Sequence, residues 1–250
     1  MFPGRSFEEG VVQPFKELNQ LIMSSYSYIM AASVGRFQFH SPTTISVYAP
    51  PYSGKSTLAR KILENAQSLF TTPPEFIVYC YNEWLPMLKD MKVALGTKFI
   101  SHAGIPTRED MEKWSDGRHF IIVLDDLQQD VQNNKDAAEM FTVGSHHKNF
   151  TLIYMCHNIF GRGKFSRLIN LNSHYMILFR NNRDTQQVQT LGRQIFGANI
   201  KYFMDAYSKA TSKEWGYLVV NIHPKTRDHD PYKLLTGIIP GEQTVVYGKN

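Results

Sequence analysis

A short segment of the chain combines glycine, lysine and serine at a spacing that is typical of phosphate-binding loops. Residues 49–56 read A-P-P-Y-S-G-K-S and match the P-loop pattern G-x-x-x-x-G-K-[ST] at every defined position but the first. In such a loop, backbone N–H groups and the positive end of the following helix converge on the phosphates. Lys55 is predicted to neutralise the β- and γ-phosphates of ATP and Ser56 to ligate Mg²⁺, while Gly54 allows close backbone approach.

The loop departs from the pattern at its start. Ala49 stands where the pattern has glycine, and Pro50 and Pro51 contribute no N–H groups. Because the donors that wrap a β-phosphate come from the second half of such a loop, we expect nucleotide binding to survive. The predicted nucleotide-binding residues are Tyr52, Ser53, Gly54, Lys55, Ser56 and Thr57.

Two carboxylates follow a continuous apolar run later in the chain. Residues Phe120–Leu124 read F-I-I-V-L, the pattern of a parallel strand buried on both faces, and Asp125 and Asp126 come directly after it. We predict that Asp125 holds the metal through Ser56 or water, and that Asp126 is the general base acting on the attacking water. A strand that ends in a solvated acidic turn is the alternative, and the presence of the P-loop makes it less favoured.

Polar residues also follow the next predicted strand. His157 and Asn158 stand where motor ATPases keep a residue that senses the γ-phosphate, and either side chain could donate to that phosphate or to the attacking water. Each could equally be a buried polar group whose hydrogen bonds are satisfied within the protein. The sequence leaves these two interpretations open.

Basic residues cluster in the same part of the chain. Arg162, Lys164 and Arg167 follow Asn158, and Arg180 and Arg183 follow the strand after that. They suit contacts to the phosphate backbone of DNA, or an arginine that reaches the γ-phosphate in a neighbouring subunit. A solvated basic face is the third possibility, and the sequence does not choose among the three.

The remaining metal-ligating residue types do not form a site pattern. His146 and His147 are adjacent, so their side chains would diverge, and they are expected in the loop before the next strand. Cys80 and Cys156 are widely separated, which predicts neither a disulfide framework nor a zinc site and favours a reducing compartment. The net charge of +5 weakly favours a polyanionic partner.

Alternating strand and helix patterns must position these residues. We predict strands at Thr44–Tyr48, Glu75–Tyr81, Phe99–Ile100, Phe120–Leu124, Phe150–Cys156, Ser173–Phe179 and Gly216–Ile222, and helices at Lys55–Leu69, Trp84–Met91, Asp136–Val143 and Thr185–Ile195. This alternation predicts an α/β fold whose mostly parallel central sheet is flanked by helices. The strand at Glu75–Tyr81 lies between the two motifs along the chain, which favours a RecA-like P-loop NTPase over small kinases and GTPases.

The ends of the chain are expected to be appendages to this core. Residues 1–42 are predicted to form an N-terminal helical segment with a helix at Phe15–Ala32, residues 43–223 the RecA-like core, and residues 224–250 a polar C-terminal tail. The apolar stretch Leu21–Val34 is broken by serines and lacks the length of a membrane span, so we expect a buried helix and no membrane partner. We also expect the protein to stay inside the cell that makes it.

Several segments in the same order resemble the viral DNA-packaging ATPases of the FtsK/HerA superfamily, in particular those of Polinton or Maverick elements, adintoviruses and poxvirus-type packaging proteins. The resemblance covers about residues 44–222. Besides the P-loop, it rests on Y-C-Y-N-E-W at Tyr79–Trp84, I-I-V-L-D-D at Ile121–Asp126, F-T-V-G-S-H-H at Phe141–His147, H-N-I-F at His157–Phe160, L-N-S-H-Y at Leu171–Tyr175 and F-R-N-N-R-D at Phe179–Asp184.

This resemblance implies a homo-oligomeric ring, commonly of about five or six subunits, that pumps double-stranded viral DNA into a preformed capsid. It also implies an arginine acting in trans, and a location in the infected host cell, at the nucleus or the viral assembly site, or with the virion. The chain departs from the family at Ala49 and at His157, where the family usually has glutamine. Two rivals remain open: a small P-loop nucleoside or nucleotide kinase, and a scaffold that binds nucleotide without hydrolysing it.

Overall fold

One sheet organises the part of the chain that the computed structural model describes, residues 28–30, 36–227 and 230–248. Its strands are β1 Tyr28–Met30, β2 Thr44–Tyr48, β3 Phe76–Tyr81, β4 Phe99–Ala103, β5 Phe120–Asp125, β6 Phe150–Cys156, β7 Tyr175–Phe179, β8 Tyr217–Asn221, β9 Leu234–Thr236 and β10 Val245–Tyr247. They lie in the order β1-β10-β9-β8-β7-β2-β6-β5-β3-β4. Neighbouring strands from β7 to β4 run parallel, whereas β8, β9, β10 and β1 continue the sheet antiparallel.

Helices connect these strands. They are α1 Lys55–Glu64, α2 Ala66–Leu69, α3 Pro86–Leu95, α4 Arg108–Trp114, α5 Gln128–Asn133, α6 Lys135–Glu139, α7 Ser145–His147, α8 Ser166–Leu171, α9 Thr185–Phe196 and α10 Ile200–Ala210, with a π-helical segment at Met140–Gly144 and 3₁₀ turns at Gly96–Lys98, Gly197–Asn199 and Pro231–Lys233. None of the helices in the described ranges has the length and apolar character needed to cross a membrane.

Both faces of the sheet are buried, and β5 shows how. Ile122 and Leu124 belong to a hydrophobic cluster that includes Phe203 of α10, whereas Ile121 and Val123 belong to the opposite cluster with α1. Successive side chains of a strand point to opposite faces, so an uninterrupted apolar run is what a strand covered on both sides requires. The predicted α/β fold with a mostly parallel sheet is thus confirmed.

The order of the strands corrects one step of the sequence argument. The strand at Phe76–Tyr81 does not separate the P-loop strand from the acidic strand, because β3 lies on the far side of β5. The strand between β2 and β5 is β6, which comes later in the chain and pairs in parallel with both. The strands that carry the P-loop and the acidic pair are therefore separated by one strand, as the RecA-like interpretation required. The separating strand is β6 and not the predicted strand at Glu75–Tyr81.

The predicted termini differ from the structure. Most of the helix predicted at Phe15–Ala32 lies outside the described residues, but Tyr28–Met30 form the strand β1, paired with β10. The predicted polar tail contains β9 and β10, which extend the sheet beyond β8. Each of these strands has only three residues, too few to show an alternating pattern, so pairing within the sheet decides their conformation.

Several helices were missed or misplaced. The helix predicted at Lys55–Leu69 is interrupted at Asn65, and His146 and His147 lie in α7 rather than in a loop. The second of two consecutive helices, α10, had not been predicted, although it buries Phe203 and Tyr207. Helix α9 packs on it so closely that Gly192 has no room for a side chain: a Cβ there would lie 2.3 Å from Cδ1 of Phe203.

We expect Gly192→Ala to destabilise the protein. Alanine gains about 1 kcal/mol in helix propensity, but overpacking a buried contact costs about 1–3 kcal/mol, so the loss should win. Urea denaturation measures the change, with Gln186→Ala on the exposed part of the same helix as the matched control. A Gly192→Ala variant as stable as that control would contradict the packing of α9 against α10.

Candidate functional site

The P-loop connects the end of β2 to the start of α1. Gly54 immediately precedes the helix with φ 89°, a left-handed conformation that favours glycine, and Tyr52 also has a positive φ of 60°. The Ser53 hydroxyl donates to the carbonyl oxygen of Pro50 at 2.7 Å, which closes the loop on itself. The loop thus ends where the first turn of α1 offers its N–H groups, the arrangement that binds anions.

Lys55 and Asp125 form an ion pair beneath this loop. The Lys55 Nζ lies 3.6 Å from Asp125 Oδ1, and the two residues are only 9% and 3% exposed. The hydroxyl of Tyr79 donates to the other carboxylate oxygen, Oδ2, at 2.7 Å. Burial, reinforced by the charge of Asp125, raises the pKa of Tyr79 well above its usual value, so this hydroxyl keeps its proton.

His157 lies between the start of the P-loop and the acidic pair. Its Nδ1 lies 3.0 Å from the carbonyl oxygen of Ala49, and because a carbonyl only accepts, Nδ1 must be the donor. Its Nε2 lies 3.6 Å from Oδ1 of Asp126. The imidazole therefore bridges the start of the P-loop and the second carboxylate of the acidic pair.

Asp126 occupies the turn that leaves β5. Its φ of 55° is unusual for a residue other than glycine, and its side chain is 64% exposed, in contrast to the buried Asp125. The sharp turn directs the two adjacent carboxylates into different surroundings. Asp125 faces Lys55 and Tyr79, whereas Asp126 faces solvent and His157.

Glutamine side chains hold the polypeptide that follows β6. The Gln128 side chain accepts from the His157 N–H at 2.9 Å and donates to the Asn158 carbonyl at 3.3 Å. Gln187 accepts from the Ile159 N–H at 2.8 Å. Neither glutamine had been singled out in the sequence, because nothing along the chain indicates that α5 and α9 meet this segment.

Helix α5 also contacts the segment that follows β6 through Gln132, one helical turn after Gln128. Gln132 fits between Gly161 and Gly163, where added Cβ atoms would lie 2.1 Å and 2.3 Å from its side chain. The Phe165 N–H donates to the Gln132 carbonyl at 2.8 Å. These two glycines are therefore required by the close approach of α5 and not by a turn.

An open cleft of about 570 Å³ brings most of the predicted site together. It is lined by Pro50, Pro51, Tyr52, Ser53, Gly54, Lys55, Ser56, Thr57, Leu85, Asp125, Asp126, His157 and Trp215. Asn158 does not line this cleft. It lines a neighbouring polar cavity of about 930 Å³, together with Arg162, and Asp126 and His157 border both. Arg167, Arg180 and Arg183 are exposed and line neither space.

Trp215 is a cleft residue that sequence reasoning missed. It is 58% exposed, has a φ of 60°, and places its indole against the P-loop, since a Cβ on Gly54 would lie 2.8 Å from Trp215 Cε3. The only signal in the sequence is an aromatic residue in an otherwise polar segment, S-K-E-W-G.

The oxygen donors in the cleft fit Mg²⁺ only when a phosphate completes the site. Ser56, Asp125 and Asp126 offer a hydroxyl and carboxylate oxygens, the ligand types of a hard cation. Across residues 28–30, 36–227 and 230–248, however, no group of three or more histidine, cysteine, aspartate or glutamate residues could hold a metal. This agrees with Mg²⁺, which typically keeps waters and binds through one or two protein groups plus substrate phosphates.

The fold and the site together define a class. The parallel strands β7-β2-β6-β5-β3-β4, the loop from β2 into α1, and the lysine–aspartate pair between that loop and β5 are those of a P-loop NTPase fold. No protein-family model and no curated protein sequence matches the chain. Among solved structures, it is similar to the genome packaging NTPase B204 from Sulfolobus turreted icosahedral virus 2 in complex with ATP-gammaS, with 12% identity and a TM-score of 0.49 over 74% of this chain and 94% of that one.

We expect Tyr79→Phe to destabilise the protein by about 1.5–3 kcal/mol, the usual contribution of a hydrogen bond to a charged group, because Asp125 would keep only Lys55 as a partner. The shift of the urea unfolding midpoint measures this loss. Tyr81→Phe, on the same strand but only half-buried, is the matched control and should change stability by less than about 0.5 kcal/mol. Equal effects of both variants would contradict the role given to the Tyr79 hydroxyl.

Proposed function

We propose that this chain is an Mg²⁺-dependent ATPase that translocates double-stranded DNA into a preformed viral capsid, as a homo-oligomeric ring in the infected cell. The observation that carries the proposal is the convergence of the P-loop, Asp125, Asp126 and His157 on one cleft. The DNA and capsid parts of the proposal rest on the resemblance of residues 44–222 to viral DNA-packaging ATPases. Exposed arginines and a net charge of +5 support them.

The buried end of the cleft suits the binding of the terminal phosphates. Lys55 supplies a positive charge there, Tyr52 to Thr57 supply the loop, and Ser56 with Asp125 would hold Mg²⁺. When bound, this ion would supply positive charge that neutralises the negative charge developing during phosphoryl transfer. Tyr79 keeps the Asp125 carboxylate oriented, since it donates to the oxygen that does not face Lys55.

Asp126 is the general base in this proposal. It is the exposed member of the acidic pair, so it can reach a water in the cleft without first breaking the ion pair beneath it. His157 lies against this carboxylate, with its Nε2 3.6 Å from Asp126 Oδ1, and is the first candidate for the residue that senses the γ-phosphate. Asn158, whose carbonyl is held by Gln128, faces the adjoining polar cavity and is the second candidate for that sensor.

The polar cavity next to Asp126 is a suitable entry for a group from a neighbouring subunit. Asp130 and Asp184 add acidic side chains to its lining, which would attract an arginine. Arg162 already lines this cavity within its own subunit, and this favours the exposed Arg167, Arg180 and Arg183 as the arginines that act in trans or contact DNA.

A non-hydrolysing scaffold is the second candidate, and one observation favours it. The Nε2 of His157 lies 3.6 Å from Oδ1 of Asp126, so the imidazole stands against a carboxylate oxygen that would have to contact the attacking water. In that case the protein would bind ATP to organise an assembly without releasing phosphate, even with DNA present.

The decisive measurement is ATP hydrolysis with and without long double-stranded DNA, on protein whose oligomeric state is determined in parallel. We expect turnover by the ring to be stimulated by long duplex, and the stimulation to fall steeply as salt rises because phosphate contacts release counterions. ATP binding without phosphate release would support the scaffold. Turnover that requires a small acceptor and ignores DNA would instead support a nucleoside or nucleotide kinase.

Two substitutions should separate nucleotide binding from hydrolysis. Lys55→Ala should abolish turnover and weaken ATP binding, because the phosphates lose their buried cation. Asp126→Asn should leave ATP binding within about threefold and lower turnover by about 10²–10⁴-fold, the usual contribution of a general base. Glu109→Gln, an exposed carboxylate on α4 outside the cleft, is the control. Normal turnover by either of the two site variants would refute its assignment.

A further inference from the structure

The nucleotide cleft continues into a second cavity that the proposed chemistry does not use. This cavity, also about 570 Å³, shares Gly54, Thr57 and Trp215 with the cleft. Its other walls come from α1, from the segment that follows α10, and from the residues between β9 and β10. The two spaces therefore border each other at Gly54, Thr57 and Trp215.

The direction of the sheet decides which part of the ligand lies there. Lys55 and Asp125 mark the β5 side of the P-loop, where the γ-phosphate belongs in the proposed site. The second cavity lies on the opposite side, since Phe179 at the end of β7 and Tyr217 at the start of β8 line it. A nucleoside triphosphate with its γ-phosphate at Asp125 would thus place its base and sugar on the side of this cavity.

Trp215 lies where the nucleotide cleft and the second cavity meet. The indole rests on Gly54, and 58% of the residue is still exposed to solvent. The next residue, Gly216, donates its N–H to the Lys213 carbonyl at 3.0 Å, and a Cβ at Gly216 would lie 2.5 Å from the carbonyl oxygen of Ala210. This tight turn fixes the backbone next to the tryptophan, and the contact with Gly54 places the indole between the two spaces.

The far wall of the cavity is tied to α1 and to the sheet. The Tyr217 hydroxyl donates to Glu242 Oε2 at 2.8 Å and accepts from the Ile238 N–H at 3.0 Å. The other oxygen of Glu242 lies 3.5 Å from Nζ of Lys61, one turn along α1 from the P-loop. The cavity combines apolar lining from Leu58, Phe179 and Val245 with charged residues, among them Lys209, Lys213 and Glu214. A site for a flat heterocycle uses apolar contacts together with polar groups that fix its orientation.

We propose that this cavity binds the purine base of the nucleoside triphosphate, with the base stacked against Trp215. The inference rests on the proposed function, because the P-loop must hold the phosphates for the base to reach the tryptophan. A purine is the class with the larger stacking surface of the two nucleobase types, and Glu242 and Lys61 offer an acceptor and a donor near its edge.

Binding of ADP and of inorganic pyrophosphate, each with Mg²⁺, tests the base site without turnover. By isothermal titration calorimetry, the wild-type protein should bind ADP at least roughly tenfold more tightly than pyrophosphate. Trp215→Ala should weaken ADP binding roughly tenfold and leave pyrophosphate binding within about twofold. Trp84→Ala, the other tryptophan that is more than half exposed, is the matched control and should resemble the wild type.

A fluorescence readout isolates the tryptophan itself. The chain has three tryptophans, so the double variant Trp84→Phe with Trp114→Phe leaves Trp215 as the sole indole emitter. ADP should change its emission, CDP should do so less, and pyrophosphate should leave it nearly unchanged.

The outcomes separate this inference from the function on which it rests. Equal affinities for ADP and pyrophosphate in the wild type would overturn the base site while leaving the P-loop assignment standing. Weakening of both ligands by Trp215→Ala would also overturn it, since Trp215 would then support the loop and not the base. Failure of both ligands to bind would overturn the nucleotide site itself.

Discussion

The ion pair between Lys55 and Asp125 joins two segments that are not neighbours in the sheet. Lys55 follows β2 and Asp125 ends β5, and β6 lies between them. Both charges are largely withdrawn from water, so each depends on the other, and removing one partner of such a pair usually costs about 3–5 kcal/mol. The pair therefore fixes the P-loop across the carboxyl end of β6, and the residues that follow β6 are placed between its two anchors.

His157 is the first of those residues, and it faces the segments that leave the strands on either side of β6. It donates to the Ala49 carbonyl on one side and faces Asp126 on the other. Glutamine, which the packaging ATPases that the sequence resembles usually have at this position, also carries a donor that could reach a carbonyl oxygen. The identity of the residue thus changes what faces Asp126 more than it changes how the loop is held.

The parts of the fold that could be predicted from the sequence are those fixed by local pattern. β2, β5 and β6 were located to within a residue because strands buried on both faces are rich in apolar, β-branched and aromatic residues. Their lateral order could not be predicted in the same way, since spacing along the chain does not say which strand inserts between two others. The short strands β9 and β10 were missed because three residues carry no period.

The residues of the candidate site can be separated in the same way, into those that local sequence pattern predicts and those that it does not. Lys55, Ser56, Asp125 and Asp126 were found because a loop or a strand end places them by its own geometry, and the cleft brings them together. Tyr79, Gln128 and Trp215 were not found. Each contacts a residue far away in the sequence, and only the folded structure brings the two together. For Tyr79 the signal that was present is a tyrosine within an apolar strand, since a buried hydroxyl requires a partner.

The fit of Gln132 between Gly161 and Gly163 has a mechanical consequence. Helix α5 begins just after Asp126. It holds the loop that carries Arg162 by the backbone hydrogen bond from Phe165 to Gln132, and by contacts too close for any side chain on either glycine. A rotation of the Asp126 backbone would therefore move α5 and the loop that carries Arg162 together as a rigid body. Such a coupled movement would transmit a change at the bound phosphate to the exposed Arg162 on the protein surface.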